Sequence, residues 1–220
     1  MQNKIDRTQK TVLSLIFKTL HFEEWFIQNT FCGFKLKNDM GKEVRYCLNP
    51  IHWNTNRVLF LEGEGYFRVK KGSTFTVNTP SGSVTVLGTQ FNVNSRNNYF
   101  EVICYEGKVS VKNKQTTHIL KATDYLRNIE GVITASKVKT IQPNWISGES
   151  DFKSTPIKYV IEAMELHFNV QFDTQNIDEN IVFTGSFSNN DLDTALKTVF
   201  APLKIKYIKE DNTILLRLKQ

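Results

Sequence analysis

The stretch Phe75-Thr-Val-Asn-Thr-Pro-Ser-Gly-Ser-Val-Thr-Val-Leu-Gly-Thr-Gln-Phe-Asn-Val93 decides the fold of the larger part of this chain. Phe75 and Val77 alternate with Thr74, Thr76 and Asn78, and Val84 and Val86 alternate with Ser83 and Thr85. A period of two places successive side chains on opposite faces of a strand, so each run predicts a half-buried strand. Between them stands Thr79-Pro80-Ser81-Gly82, a set of turn formers, and the two runs therefore predict a hairpin.

The same pattern extends outward from about Val44 to Ile133. Phe91-Asn92-Val93 and the run Phe100 to Val111 are separated by Arg96-Asn97-Asn98, and the second run is interrupted at Glu106-Gly107, where glycine predicts a corner or bulge. Beyond Gln142-Pro143-Asn144-Trp145 and Gly148-Glu149-Ser150, which carry breaker residues, the period changes. Thr155-Pro156 opens a helix whose face holds Ile157, Val160, Ile161, Met164 and Phe168. A second helix is expected to start between Ser188 and Asp191, a Ser-x-x-Asp capping pattern, and to bury Leu192, Ala195, Leu196, Val199 and Phe200.

These two helices belong to an internal repeat with a shift of 35 residues. Phe152 maps onto Phe187, Ile157 onto Leu192, Val160 onto Ala195, Ile161 onto Leu196, Met164 onto Val199, Val170 onto Ile205 and Phe172 onto Tyr207. Each copy reads strand, helix, strand, and Thr213 to Leu218 adds a last strand, which predicts an α+β sandwich with its helices on one sheet face. The expected fold is mainly β with an α+β C-terminal domain. Its organisation is an unassigned, partly helical segment over 1–40, a stacked, solenoid-like or sandwich-like β domain over 41–143, and the duplicated unit over 148–220.

The length of 220 residues, with 40% apolar and 23% charged, suits one or two packed domains and excludes wholesale disorder. The net charge of +6 is spread along the chain, with Lys70-Lys71 the one basic pair, which argues against a nucleic-acid footprint. Three cysteines, Cys32, Cys47 and Cys104, exclude a disulfide scaffold and leave room for one bridge at most. Cys47 and Cys104 lie in strand-like sequence, where the expected state is a small buried apolar residue and the alternative is a bridge between the two. Thr11 to Phe17 is apolar but is ended by Lys18, short of the roughly 20 residues a membrane helix needs, and no signal-cleavage pattern follows it. An amphipathic helix running through Glu23, Glu24 and Trp25 is the expectation there.

Residues for chemistry are sparse. His21, His52, His118 and His167 are far apart and pair with no carboxylate or cysteine at metal-ligand spacing. His167 falls where the first repeat helix ends, and the helix dipole is reason enough for it. Glu62 and Glu64 share one strand face and read as exposed acids flanking Gly63 and Gly65, a pair of glycines that lacks the third glycine of a dinucleotide loop. No nucleophile elbow or phosphate loop is present. The expectation is a non-enzymatic protein with no catalytic residue, no metal site and no cofactor.

The runs Leu61-Glu-Gly-Glu-Gly-Tyr-Phe-Arg-Val69, Phe75 to Gly82 and Val86-Leu-Gly-Thr-Gln-Phe-Asn-Val93 resemble the FecR domain of periplasmic sigma-factor regulators. Glu101-Val102 and Glu106-Gly-Lys-Val-Ser-Val111 are similar to the close of that domain, and Gly41 to Leu48 to its opening. Residues 148–219, with Phe183-Thr-Gly-Ser-Phe-Ser188 and Asp191-Leu-Asp-Thr-Ala-Leu196, resemble the C-terminal domain of Bacteroidetes-type members, related to the secretin and TonB short N-terminal domain. The resemblance implies a periplasmic signal receiver, next to the inner membrane, that docks the signalling domain of a TonB-dependent outer-membrane transducer. Residues 1–40 match neither the sigma-binding segment nor the membrane helix of the family, so contact with a sigma factor is expected to be indirect or absent. Gly65 stands where the family has alanine, and Asn49 to Trp53 departs from its pattern.

Strand edges suit partner binding by β-augmentation. In Ile181 to Ser188, Phe183 and Phe187 are expected to face the helices, which nominates the outward Thr184, Ser186 and Ser188 as partner-binding residues. The alternative function is a carbohydrate- or surface-ligand-binding β module, suggested by Tyr99, Tyr105 and Tyr125 as exposed aromatics on short strands.

Overall fold

The computed structural model describes residues 31–37, 43–48, 57–113 and 116–218. The amphipathic helix expected around Trp25 and the Asn49 to Trp53 segment lie outside the described residues. Those described fall into two compact units that divide between Gln142 and Pro143.

The first unit holds β1 (Phe31–Lys37), β2 (Glu43–Leu48), β3 (Arg57–Arg68), β4 (Phe75–Thr79), β5 (Gly82–Val86), β6 (Gln90–Arg96), β7 (Tyr99–Glu106), β8 (Lys108–Lys112), β9 (Thr117–Lys121), β10 (Asp124–Ile129) and β11 (Val132–Lys137). Strand pairing thus begins upstream of residue 41. The long β3 serves two layers. Its first half, Arg57 to Phe60, pairs in parallel with β4, and its second half, Gly63 to Arg68, pairs antiparallel with β6. Gly63, at φ 129°, sits where the strand changes layers. From β4 onward the chain lays down hairpins alternately in the two layers: β4–β5 and β8–β9 in one, β6–β7 and β10–β11 in the other. Among the described strands of this unit all pairs except β3–β4 are antiparallel, and the sheet is curled upon itself in the sandwich-like form of the expectation.

The Pro80-Ser81 turn forms as anticipated. Thr79 Oγ1 accepts the N–H groups of Ser81 and Gly82 at 3.2 and 3.1 Å and donates to Gly82 O at 2.9 Å. Between the layers, Phe67, Phe75 and Phe91 pack together, with the Phe67 and Phe91 rings stacked 5.1 Å apart. Leu59, Leu61, Val77, Val84, Val93, Val102 and Val109 are among the residues that join them in this core. Each such side chain is worth roughly 1.5–3 kcal/mol of burial.

The run that carries the family likeness is architectural. Thr89 is buried, exchanges both backbone bonds with Val69 (2.9 and 3.0 Å), and donates its hydroxyl to Lys108 O at 3.0 Å. A Cβ on Gly88 would lie 2.6 Å from Lys71 Cα, so only glycine lets the two backbones approach. At Gly65 the contact is of another kind: a Cβ there would lie 2.9 Å from the tip of the Phe67 ring, a side chain and not a backbone, so an alanine needs only a shift of that ring.

The Cys47–Cys104 alternative fails. Cys104 is a free, buried thiol on the core face of β7, while β1–β2 register sets Cys47 opposite Cys32. Burial pushes the Cys104 pKa up to about 11.

The second unit holds β12 (Glu149–Pro156), α1 (Ile157–Phe168), β13 (Gln171–Asn176), β14 (Val182–Ser188), α2 (Leu192–Phe200), β15 (Ile205–Glu210) and β16 (Thr213–Leu218). This is the repeat: β12-α1-β13 and β14-α2-β15, with β16 added. The first strands of the two copies pair antiparallel, whereas the second strands flank β16, β13 in parallel and β15 antiparallel. The strands therefore make two sheets, and α1 and α2 each touch strands of both instead of lying on one sheet face. The reason is the duplication itself, since two equivalent strand-helix-strand copies bury both helices between them. Ile157, Val160, Ile161, Met164, Ala195, Leu196, Val199 and Phe200 form the core with Phe183 and Phe187.

The Ser188-x-x-Asp191 cap shifts by three residues. Asp191 itself is the N-cap of α2, its carboxylate accepting Thr194 N–H at 2.8 Å, while Ser188 Oγ accepts Asn190 N–H at 3.3 Å in the preceding turn. Its bonds to Thr194 hold the Asp191 carboxyl below its ordinary value.

Candidate protein-docking edge

Strand β14 is built from alternation. Phe183 and Phe187 are 4% and 1% exposed and point into the core, where Phe187 stacks on Phe152 at 5.7 Å and packs against Phe168. Thr184, Ser186 and Ser188 occupy the other face, Thr184 exposed and the two serines half-buried. Among the described residues β14 pairs with β12 alone, so its far edge is open. No charged residue stands between Val182 and Ser188. The other strand of this sheet, β12, carries Glu149, Asp151 and Lys153, a register shift between Phe152 and Thr155, and a terminal Pro156. Charge, bulge and proline are devices that keep an edge from pairing, and β14 has none of them.

The structure brings the three nominated residues to one face but gives two of them local tasks. Thr184 Oγ1 accepts the N–H of Ser154, whose φ is 46°, at the register shift of β12. Ser188 holds the turn into α2, and Ser186 lies opposite Asp151. The C-terminal end of β14 is anchored through buried Asn189, which sequence reasoning passed over. Its N–H donates to Gly148 O at 2.8 Å, its side-chain Oδ1 accepts from Ser150 Oγ at 2.9 Å, and its carbonyl bonds His167 Nε2. His167 is thus a bridge from the last turn of α1 to β14. An Asn before a helix N-terminus is common enough that nothing in the sequence set it apart.

The tyrosines of the alternative reading are not an exposed platform. β7 alternates Tyr99, Glu101, Ile103 and Tyr105 on the face opposite the core, yet Tyr99 and Tyr125 are each only 8% exposed and Tyr105 is half-buried. Tyr99 donates to Glu101 at 2.6 Å, Tyr105 packs edge-on to Tyr66, and the Arg127 guanidinium lies over the Tyr125 ring. Burial, then the Glu101 charge, raises the Tyr99 pKa well above its ordinary value. Glu64 is likewise half-buried, accepting from Asn92 Nδ2 at 3.0 Å, so Glu62 and Glu64 do not form an exposed pair. Among the described residues, no three His, Cys, Asp or Glu come together as metal ligands, and no helix is long and apolar enough to cross a membrane.

An open cleft of about 700 Å³ lies where the turns at one end of the first unit meet, lined by Pro80, Ser81, Asn98, Asn113, Asn128 and Gly131 among others. Its asparagines serve the turns: Asn128 Oδ1 accepts Gly131 N–H at 2.9 Å and Asn113 Oδ1 accepts Thr116 N–H at 2.8 Å.

Comparison with known proteins agrees with this architecture. No curated protein matches the chain. Two crystal structures, each of a putative anti-sigma factor from Parabacteroides distasonis, do. The first, at 25% identity, superimposes with a TM-score of 0.75 over 82% of this chain and 88% of that one. The second, at 23% identity, superimposes with a TM-score of 0.73 over 88% of this chain and all of that one. The model of the FecR protein family matches residues 48–110, across the β unit, and the model of the FecR C-terminal domain matches residues 150–216, across the duplicated unit. With both domains present in order, the chain belongs to the FecR family of sigma-factor regulators.

Proposed function

We propose that this chain is the receiver module of a cell-surface signalling system. It works in the periplasm by binding, without catalysis, the signalling domain of a TonB-dependent outer-membrane transducer. The observation that carries this reading is the open, uncharged edge of β14 on the domain matched by the FecR C-terminal model. A strand added there would gain main-chain bonds from β14, with Thr184 and Ser186 presented to it on one face. The Parabacteroides proteins support a regulatory role by likeness, with a sigma factor reached indirectly or not at all.

Titration calorimetry of the full chain with the N-terminal signalling domain of the transducer encoded beside it tests the proposal. Binding with a Kd of about 1 μM or tighter is expected, weakened at least tenfold by Ser186→Lys, which sets a charge on the open edge. Absence of heat at saturating concentrations, or binding indifferent to Ser186→Lys, would overturn the partner or the edge respectively.

A further inference from the structure

A second unguarded edge lies in the other unit. β11 reads Val132-Ile-Thr-Ala-Ser-Lys137, and among the described residues it pairs with β10 alone. Val132 is 70% and Ile133 42% exposed, and Thr134 and Ala135 are exposed with them. No charge, proline or bulge interrupts Val132 to Ser136. The last strand on the opposite side of this sheet, β9, carries His118 and Lys121 instead. A β-branched, uncharged, exposed edge is what sheets ordinarily avoid unless something pairs with it.

The hydrogen-bond phase of this edge follows from its hairpin. Glu130 and Gly131, with φ of 52° and 90°, form a two-residue turn between Ile129 and Val132. In such a hairpin the flanking residues exchange both backbone bonds, and bonded pairs alternate from there. Val132, Thr134 and Ser136 accordingly direct their amides and carbonyls toward β10. Val138 keeps the same phase, its N–H donating to Thr123 O at 2.9 Å. Ile133, Ala135 and Lys137 direct theirs to the open side.

We propose that β11 is a self-association edge, on which β11 of a second copy adds antiparallel about a two-fold axis at Thr134. Residues with outward amides must face each other across such a pair, which this axis satisfies. It sets Ile133 against Ala135 of the second copy and Val132 against Ser136, a large side chain opposite a small one in both rows. Thr134 faces its own counterpart, a favourable cross-strand pair. Lys137, whose ammonium lies 3.5 Å from Asp124 of its own sheet, falls opposite Gly131 of the second copy, next to Glu130, so no like charges meet at either end of the ribbon. A two-fold at Ile133 would set Lys137 against Ile129, and one at Ala135 would set Lys137 against Ile133. Self-complementarity of charge and size therefore selects a second copy as the occupant, and the axis with it. The strand ribbon is smaller than a standard interface of about 1,600 Å², so the dimer is weak.

Sedimentation velocity of the full chain over a concentration series reads this directly. The expected result is a reversible monomer–dimer equilibrium with Kd on the order of 10–100 μM, weakened at least tenfold by Ile133→Lys with an unchanged circular dichroism spectrum. Independently, Thr134→Cys should give a disulfide-linked dimer with oxidised glutathione that the parent chain does not form, because the axis brings the two Cα atoms to about 4.5 Å. A monomer throughout the series, or a dimer that survives Ile133→Lys and does not cross-link through position 134, overturns the proposal.

Discussion

The hydroxyl oxygen of Thr184 accepts the amide N–H of Ser154 at 2.8 Å, at the point where β12 steps out of register with β14. One side chain thereby satisfies the backbone group that the bulge frees, and Ser154 is held at a positive φ that L residues seldom adopt.

Thr184→Ala should therefore lower the stability of the C-terminal unit by about 0.5–1.5 kcal/mol, the net worth of one such bond, and Thr184→Ser should restore most of it. Urea denaturation of the three proteins checks this. Equal midpoints would mean that the bulge stands without its cap.

Gly88→Ala should be costlier, because the new Cβ meets the Lys71 backbone at 2.6 Å and neither strand end can withdraw without losing the Val69–Thr89 bonds. A loss of about 2 kcal/mol or more is expected, in the range of core overpacking. Thr89→Val, which keeps the shape and removes the donor to Lys108 O, should cost about 1 kcal/mol. Thermal melts followed by the tyrosine and tryptophan signal rank the two.

The Cys104 thiol should be inert to Ellman's reagent in the native protein at neutral pH and react only on unfolding, since it is buried and its pKa is near 11. The sign of the pH effect follows. The folded pKa is raised above the ordinary 9.0, so the thiol's contribution is fully present below pH 9 and is lost as pH rises through about 11, where the unfolded chain is already ionised. Cys104→Ala should flatten the stability curve over that window.

Asp191→Ala should fray the first turn of α2 by removing the acceptor for Thr194 N–H, whereas Asp191→Asn should keep the turn. Because its hydrogen bonds hold this carboxyl below its ordinary value of 3.8, the wild-type cap is intact above that pH and weakens as pH falls through the lower folded value. The protection factors of the Leu192 to Ala195 amides, taken against the intrinsic rate at each pH down through pH 3, should fall in step.

Much of this was legible in the residues themselves. Alternation in Phe75 to Val86 and Phe100 to Val111 assigns the apolar side chains to the core, and the match of Phe152 with Phe187 and of Met164 with Val199 identifies the duplicated unit, because local periodicity records which face a residue buries; the burial of Thr89 and Asn92 does not follow from it. The inward Phe183 and Phe187 and the outward Thr184, Ser186 and Ser188 follow from that rule alone. Periodicity does not record neighbours. That β12 pairs with β14 while β13 pairs with β16, that β3 serves two layers, and that Tyr99 and Tyr125 are covered on the face away from the core are consequences of contacts between residues distant in sequence. The open edges of β14 and β11 belong to the same class: a strand's own sequence states that it can pair, and only the packed structure decides on which side it remains unpaired.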